Sequence, residues 1–315
     1  MKKSVLTQHV RAGLKVRAGP CGIHIFNRRT GTNILIDEAQ VPMMMWATAP
    51  RQVSVALTNT CDLRCPYCYA PKYQASLDST HLIEWLYELD VNGCLGVGFG
   101  GGEPTLHPDL PLLCRYAAES TGLAVTFTTH AHKLDERIAA DLQGNVHFIR
   151  VSMDGVGATY EMLRGRPFSS LRRRLSLVRE LAPFGINFVV NALTMSELDA
   201  AIALAVEVGA SEFLLLPEQP VHGRGGINDR TLQELHNWVN SYQGTMPLGI
   251  SEAGAGGLPT CCDPLAGETG LRAYAHIDAS GVLKRSSYDE SGCPIGPGGV
   301  MSALKVLQLT TGDKR

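Results

Sequence analysis

The feature that most constrains the fold is a regular alternation of short apolar strands and amphipathic helical segments that begins at residue 53. Strands of a parallel pair need a crossover connection, usually a helix, so this alternation predicts a parallel sheet in an α/β fold. Both an open doubly wound sheet and a barrel fit the pattern, and the order of the strands in space stays open. The six predicted strands are 53–57, 96–100, 124–129, 147–153, 186–192 and 212–217.

Two segments of different character flank this region. Residues 1–50 contain the alternating stretches LKVRAG, GIHIF and TNILIDE between Gly and Pro turns, which predict a β-rich lead-in. The apolar run MMMWA at 43–47 is expected to pack against the main domain. Residues 218–315 hold glycine-rich turns and a hairpin pattern, AYAHIDASGVLKRSSY. We therefore expect three regions, 1–50, 51–217 and 218–315.

The charge and hydropathy of the chain bear on whether it binds nucleic acid or a membrane. The net charge is −2, and the one basic run, RRR at 172–174, lies in a helical segment, so no nucleic acid partner is expected. No apolar stretch approaches the roughly 18 residues that a membrane span needs, and no signal peptide pattern follows the first residues. These observations predict a cytoplasmic protein without a membrane partner, in which the nine cysteines stay reduced.

The stretch CDLRCPYC places three cysteines, Cys61, Cys65 and Cys68, directly after the first predicted strand. A disulfide loop is disfavoured in a reducing compartment, and a zinc knuckle normally has four ligands. Three thiolates are too few to close an iron–sulfur cluster, but they suffice for one with an open iron. An open metal position is what metal-ion catalysis requires.

Four motifs at strand ends extend this pattern. TNTCDLRCPYCYAP includes Tyr67 just before the third cysteine, and GFGGGEPTLHP, FTTHAH and VSMDG with YEMLRG follow the next three strands. Over about residues 50–217 the chain resembles the radical S-adenosylmethionine (SAM) superfamily. The resemblance implies a partial, six-unit (β/α) TIM-like barrel and one 4Fe–4S cluster whose open iron chelates SAM. It also implies reductive cleavage of SAM to a 5′-deoxyadenosyl radical, which abstracts hydrogen from a substrate.

The same resemblance implies roles for individual residues. Cys61, Cys65 and Cys68 would hold the cluster, and the Glu103 carboxylate would accept from the SAM ammonium group. At other positions a purely structural explanation competes with a contact to SAM. Asp154 would form a turn, Arg164 would be exposed to solvent and Asn191 would cap a strand end. Leu215 and Leu216 would pack in the hydrophobic core. The implied SAM contacts are Tyr67, Gly100, Gly101, Gly102, Glu103, Pro104, Thr129, Ser152, Asp154, Arg164, Asn191 and Leu216.

Further polar residues follow strands three and six, at the face where a substrate would sit. They are His130, His132, Glu218, Gln219 and His222. A cyclic-nucleotide or sugar substrate would want basic residues at these strand ends, for which the candidates are Arg164, Arg166 and Arg224.

The C-terminal region resembles the SPASM or twitch extension of many superfamily members. LLLPEQPVHGRGG and the later hairpin follow that plan, but KRSS, with Ser286 and Ser287, stands where relatives with auxiliary clusters lead into a cysteine. We therefore expect an extension that has lost its auxiliary cluster. A retained cluster would draw on Cys261 or Cys262 with Cys293 and Cys94 or Cys21, while Cys114 is expected in the core.

These observations favour a radical SAM enzyme, with a peptide or protein substrate preferred because of the extension. The same chemistry on a small metabolite or nucleotide is the alternative. An iron–sulfur protein for electron transfer or binding alone is a third possibility, which the Gly-Gly-Glu-Pro motif disfavours because electron transfer needs no SAM site. An enzyme of this kind would need an electron donor such as a flavodoxin or ferredoxin.

Overall fold

The chain forms two sheets and eight α-helices in the part that the structure, a computed structural model, describes. The described residues are 13–221, 223, 225–251, 254–258, 265 and 267–311. His222, Arg224, Cys261 and Cys262, which the sequence analysis singled out, lie outside this set.

The lead-in is a three-stranded antiparallel sheet, as predicted. Its strands are β1 (Leu14–Gly19), β2 (Gly22–Asn27) and β3 (Asn33–Ile36), in the order β1-β2-β3. Arg17 is buried, and its guanidinium donates to the carbonyls of Ala49 (3.0 Å) and Gly93 (2.8 Å). Since both carbonyls precede strands of the large sheet, the lead-in packs beneath the amino ends of those strands.

The expectation for MMMWA is wrong for its three methionines. Met43–Met45 form a short 3₁₀ turn whose side chains are 64%, 92% and 64% exposed. The rest of the run does contact the protein: the Trp46 ring lies 5.2 Å from the Arg272 guanidinium, and the Ala47 amide donates to the Ala18 carbonyl at 2.9 Å. The run connects two sheets over the surface and lacks the period of a helix or strand, so no face of it is directed at the core.

The six predicted strands all form and are parallel and adjacent in chain order. They are β4 (Gln52–Thr58), β5 (Gly96–Gly101), β6 (Ala124–Thr129), β7 (Phe148–Ser152), β8 (Phe184–Val190) and β9 (Glu212–Pro217). In β9, buried Phe213, Leu215 and Pro217 alternate with half-buried Leu214 and Leu216. This alternation separates a face packed under helices from a face that lines the interior of the partial barrel.

Helices cover the outer face of the sheet. They are α1 (Ser79–Val91), α2 (Leu110–Ser120), α3 (Glu136–Leu142), α4 (Ala158–Arg164), α5 (Phe168–Leu181), α6 (Leu198–Glu207), α7 (Asp229–Ser241) and α8 (Gly299–Thr311). Asp78 caps α1 by accepting from the amides of Thr80 and His81, which satisfies donors that the first turn leaves free. Among the described residues, none of the helices has the length and apolar character that crossing a membrane would require.

The C-terminal region completes the large sheet at both edges. Strand β10 (Leu248–Ile250) pairs in parallel with β9, and β11 (Tyr274–Ile277) pairs in parallel with β4. The predicted hairpin is confirmed, because β12 (Val282–Lys284) returns antiparallel to β11, and β13 (Cys293–Pro294) follows it. The resulting order is β10-β9-β8-β7-β6-β5-β4-β11-β12-β13, so the extension lengthens the barrel wall.

Candidate active site

The cysteine loop, defined here as residues 59–78, is tied to the end of the neighbouring strand β5. The amide of Gly102 donates to the carbonyl of Thr58 at 2.7 Å, and the amide of Glu103 donates to the carbonyl of Thr60 at 2.9 Å. Because β4 and β5 are parallel, their carboxyl ends meet at one edge of the sheet. The two most informative motifs of the sequence therefore form one structural unit.

The three cysteines of this loop are free and half-buried. The Leu63 amide donates to the Cys61 sulfur at 3.4 Å, and Nη1 of Arg164 donates to the Cys65 sulfur at 3.5 Å. Burial raises the pKa of the Cys61 thiol to about 11 and also raises that of Cys65. Hydrogen bonds to cysteine sulfurs are among the features that tune iron–sulfur clusters.

The spacing of the sulfurs distinguishes a cluster from a single ion. Tetrahedral zinc–thiolate bonds would bring the sulfurs to about 3.8 Å from one another. Cys61, Cys65 and Cys68 do not form a group with all ligand atoms within 4.8 Å; in the described chain such a group comprises Cys61, Asp62 and His130. Three thiols more widely spaced than one ion allows fit a polynuclear cluster with one position left open.

Asp62 in that compact group is already neutralised by the protein. His130 hydrogen-bonds to its Oδ1 at 2.9 Å, while Arg166 at 2.8 Å and Lys133 at 3.5 Å approach its Oδ2. The aspartate thus joins the cysteine loop to the segments after β6 and α4. We assign it a structural role in holding the loop.

The glycines after β5 differ in what surrounds them. A Cβ on Gly101, which has φ +115°, would lie 2.3 Å from the Thr58 carbonyl oxygen, and one on Gly102 would lie 2.3 Å from that of Thr60. A Cβ on Gly100 would meet no atom within 4 Å. The glycines therefore serve close backbone packing on one side and leave an open cradle at Gly100, as a ligand held against this strand would require.

The Glu103 carboxylate is directed into the protein. Its Oε1 accepts from the Thr105 amide (3.2 Å), the Thr105 hydroxyl (2.6 Å) and the Thr129 hydroxyl (2.6 Å), and its Oε2 accepts from the His130 amide (2.9 Å). The side chain is 1% exposed. This geometry makes Glu103 and Thr129 a brace between the ends of β5 and β6, and the ammonium contact expected for Glu103 stays a prediction. Pro104 is buried next to it and opens a 3₁₀ turn.

The two histidines after β6 are engaged by the protein. His130 is buried against Asp62 and Glu103, with Nε2 3.3 Å from the Glu103 carboxylate. His132 hydrogen-bonds to the Tyr160 hydroxyl at 2.8 Å, and burial lowers the pKa of His132 to about 4. Both side chains therefore stabilise this edge of the barrel, and a contact with substrate stays a prediction for each.

Asp154, Tyr67 and Arg164 form a buried network beside the cysteines. The Tyr67 hydroxyl donates to Oδ2 of Asp154 at 2.6 Å, and Arg164 forms an ion pair with the same oxygen. The Nε of Arg164 is buried and has no hydrogen-bond partner among the described residues. This free donor belongs to a guanidinium that contacts the Cys65 sulfur, so it fits the presence of an anionic group beside the cysteine loop. Ser152, at the end of β7, is half-buried on the barrel-interior side.

The remaining predicted contacts lie at the ends of β8 and β9. Asn191 caps the turn that follows, since its Oδ1 accepts from the amides of Leu193 and Thr194 and its Nδ2 donates to Glu218 at 2.7 Å. Leu215 belongs to the core, whereas Leu216 is half-buried on the interior face. Gln219 donates to the Pro217 carbonyl at 3.0 Å.

The other described cysteines do not assemble into a second ligand set. Cys94 and Cys114 are fully buried, and Cys114 lies in the core as expected. Cys21 accepts from the amide of Gly267, and Cys293 lies on the outer strand β13. Ser286 donates to Asp289 at 3.1 Å. The expected loss of the auxiliary cluster stays a prediction, because Cys261 and Cys262 lie outside the described residues.

Sequence reasoning missed a polar group in the barrel interior. The Ser54 hydroxyl on β4 lies 2.5 Å from the Tyr274 hydroxyl and 2.7 Å from Nδ1 of His276, both on β11. Tyr69, directly after the third cysteine, packs on Tyr288 with ring centroids 5.1 Å apart. The alternation in AYAHI places Tyr274 and His276 on one face, but only the pairing of β11 with β4 directs that face inward.

Comparisons with known proteins match part of the chain to one superfamily. The family model described as the radical SAM superfamily matches residues 55–204. GTP 3′,8-cyclase of Chlorobaculum tepidum is 33% identical over 126 residues, 39% of this chain and 36% of that protein. PqqA peptide cyclase of Rhodopseudomonas palustris is 34% identical over 170 residues, 51% of this chain and 45% of that protein. The chain thus spans less than half the length of either relative.

The fold has a counterpart among solved structures. Streptococcus suis SuiB bound to S-adenosylmethionine superposes with a TM-score of 0.70 at 14% identity, covering 87% of this chain and 81% of that one. The matched family segment contains the cysteine loop, the glycine cradle and the Asp154–Arg164 network. Over this segment, which is just under half of the chain, the protein matches the radical SAM superfamily.

Proposed function

We propose that this protein is a radical SAM enzyme whose cluster is held by Cys61, Cys65 and Cys68. Such a cluster, when bound with SAM and reduced, supplies a 5′-deoxyadenosyl radical that abstracts hydrogen from a substrate. The observation that carries the proposal is the junction of three free thiols with the open cradle at Gly100. The protein then positions and shields the cofactors, which perform the difficult chemistry.

Each part of the edge has a distinct task in this proposal. The backbone of Gly100 and Gly101 receives the methionine end of SAM, because a side chain there would fill the cradle or strain the strand. Glu103 holds the cradle against β6 through its hydrogen bonds to Thr129 and His130. Ser152 and Leu216 line the adjacent interior wall, where the adenosine portion would lie.

We infer a peptide or protein substrate in preference to a phosphorylated one. Arg164 and Arg166, the described strand-end arginines that a phosphate would use, are paired with Asp154 and Asp62. A paired, partly buried arginine is less available to a phosphate than an unpaired one. One relative is a peptide cyclase, and SuiB has also been solved bound to precursor peptide SuiA. A small metabolite or nucleotide remains the alternative, as in the relative named GTP 3′,8-cyclase.

The electron donor in this proposal is a flavodoxin or ferredoxin. Lys133 and Arg166 lie beside the cysteine loop with side chains 45% and 41% exposed, and the two cations share the single carboxylate of Asp62, so an excess of positive charge faces an acidic partner near the cluster. A cytoplasmic location accords with a low-potential donor and with reduced cysteines. The test is whether reduced flavodoxin replaces dithionite as the source of electrons for SAM cleavage.

The activity is tested by anaerobic reconstitution followed by incubation with SAM and dithionite. We expect 5′-deoxyadenosine and methionine in equal amounts, measured by mass spectrometry, and neither product from a Cys61/Cys65/Cys68→Ala variant. The matched control, Cys21/Cys293→Ala, should cleave SAM like the wild type. An iron-loaded protein that leaves SAM intact would instead support the electron-transfer alternative.

The substrate class is tested with the same assay. Co-expression with a short open reading frame encoded beside the gene should change the mass of its peptide only when the three cysteines are present. GTP serves as the nucleotide probe and should not stimulate 5′-deoxyadenosine formation. A tenfold stimulation by GTP would overturn the peptide assignment and leave the SAM chemistry intact.

A further inference from the structure

The guanidinium of Arg164 lies between a cluster ligand and a buried carboxylate. Arg164 ends α4, and its side chain is 11% exposed. Its Nη1 donates to the Cys65 sulfur at 3.5 Å, while Nη2 pairs with Oδ2 of Asp154. One planar group thus connects the cysteine loop to the segment that follows β7.

Asp154 is itself fixed from two further sides. Its Oδ1 accepts from the Val189 amide on β8 at 2.7 Å, and its Oδ2 also accepts from the Tyr67 hydroxyl at 2.6 Å. The Tyr67 ring lies 5.9 Å from the guanidinium carbon of Arg164. Since Asp154 is fully buried, its position and the direction of the arginine fork are set by the fold.

The guanidinium keeps its charge in this environment. An arginine guanidinium stays protonated in proteins, and here the carboxylate of Asp154 pairs with it. A permanent cation that donates to the Cys65 sulfur stabilises negative charge on that sulfur. Reduction adds one negative charge to an iron–sulfur cluster, and hydrogen bonds and net charge at its sulfurs set its potential.

We propose that Arg164, positioned by Asp154, raises the reduction potential of a cluster bound at Cys65 and so sets how readily the protein accepts its electron. The inference rests on the proposed function, because it requires a cluster on the cysteine loop. Arg164 would have this effect on the cluster in the protein without SAM, in addition to any contact that it makes with the SAM carboxylate. Asp154 is a positioning residue, since it acts on the cluster through Arg164.

The test is an EPR-monitored redox titration of the reconstituted protein without SAM. The main variant is Arg164→Gln combined with Asp154→Asn, which removes both charges together and leaves no unpaired buried ion. We expect reduction to become at least tenfold less favourable, which is 59 mV for one electron. The matched control is Arg166→Gln, which removes a nearby arginine that contacts Asp62 and no sulfur. In this variant the equilibrium constant for reduction of the cluster should change less than threefold.

A second variant guards against misfolding of the first. Arg164→Lys keeps the charge but loses the planar fork, so its midpoint should lie between those of the wild type and the double variant. Iron content and the EPR signal of each variant are measured first. A midpoint that is unchanged or higher in iron-loaded Arg164→Gln/Asp154→Asn would overturn the inference, as would an unchanged midpoint in Arg164→Lys if the double variant does not load.

Failure of this inference differs from failure of the proposed function. A wild-type protein that loads iron and cleaves SAM, with midpoints unaffected by the variants, keeps the enzyme assignment and removes the role of Arg164. A wild-type protein that binds no cluster removes both.

Discussion

At the scale of single residues, the site depends on side chains that face the protein as much as on those that face a ligand. Glu103 accepts four hydrogen bonds from the ends of β5 and β6 and is almost fully buried. Hydrogen bonds to a charged acceptor contribute more than neutral ones, about 1.5–3 kcal/mol each. The carboxylate therefore determines whether the cradle and the cysteine loop keep their relative positions.

Replacing Glu103 by Gln should destabilise the protein by about 3 kcal/mol. A glutamine has one oxygen, so its NH2 group would face either the Thr105 and Thr129 donors or the His130 amide, and the donors on that side would lose their acceptor. Thermal unfolding measures the effect, and Glu119→Gln, at an exposed site on α2, serves as the matched control. A Glu103→Gln melting temperature equal to that of the control would refute the bracing role.

Alanine substitutions at Gly100 and Gly101 should have different effects. Gly101→Ala should lower the free energy of unfolding by about 2 kcal/mol or more, because alanine is strained at φ +115° and its Cβ would clash with the Thr58 carbonyl. Gly100→Ala should unfold like the wild type yet bind SAM at least tenfold more weakly, because its Cβ projects into the open cradle. Equilibrium dialysis and urea unfolding separate the two effects. Undiminished SAM binding by Gly100→Ala would mean that the ligand lies elsewhere.

At the scale of elements, the lead-in and the extension are joined to the barrel by buried polar contacts. Arg17 on β1 directs Nε to both oxygens of Glu268 at 3.1 Å, and both side chains are at most 3% exposed. Glu268 lies just before β11, so this ion pair connects the first sheet to the strand that lengthens the barrel wall. Without Arg17 the Glu268 carboxylate would keep only the more distant, partly exposed Arg51, whose Nε lies 4.0 Å from Oε2, so most of its compensation would be lost.

Arg17→Met should therefore destabilise the protein by about 3–5 kcal/mol, measured by urea unfolding. The double variant Arg17→Met/Glu268→Gln should recover a large part of that loss, because the buried carboxylate is then removed and Arg51 is partly exposed to solvent. A single variant within about 1 kcal/mol of the wild type would show that the pair does not hold the two regions together.

Strand β11 also makes stability depend on pH. Burial lowers the pKa of His276 to about 4, with Lys284 lowering it further and Asp278 and Asp289 acting in the opposite direction. Because the folded pKa lies below the ordinary 6.5, neutral His276 is favoured on folding. The contribution is fully present above pH 6.5 and is lost as the pH falls towards 4.

We expect this histidine to account for a loss on the order of 3 kcal/mol in the free energy of unfolding between pH 6.5 and 4. His276→Gln should flatten that part of the stability curve in urea unfolding at several pH values. His81→Gln, at an exposed position, is the control and should leave the slope unchanged. Identical slopes for wild type and His276→Gln would contradict the prediction.

At the scale of the whole molecule, local pattern predicted the elements better than their arrangement. The period of the apolar residues identified all six barrel strands, and the motifs placed Cys61 and Glu103 after two strands that are consecutive in the chain. Pairings between distant segments were not predictable, because the sequence of a short strand does not specify which other strand it pairs with. The parallel pairing of β11 with β4 joins Tyr274 to Gln52, and the Arg164 contact with Cys65 spans 99 residues.

Contacts of individual side chains were also not predictable from local sequence. Spacing located Glu103 but could not show that its acceptors are taken by Thr105, Thr129 and His130. The prediction for MMMWA rested on apolar composition alone, which does not show whether a connecting segment packs against the core. The Ser54–Tyr274–His276 group appears only once the extension is placed beside the first barrel strand.

The central claim is that Cys61, Cys65 and Cys68 hold one iron–sulfur cluster. It is tested most directly by measuring iron and sulfide per chain after anaerobic reconstitution, in the wild type and in the Cys61/Cys65/Cys68→Ala variant. We expect about four irons and four sulfides in the wild type, falling to nearly none in the variant. An iron content that the three substitutions leave unchanged would contradict the claim.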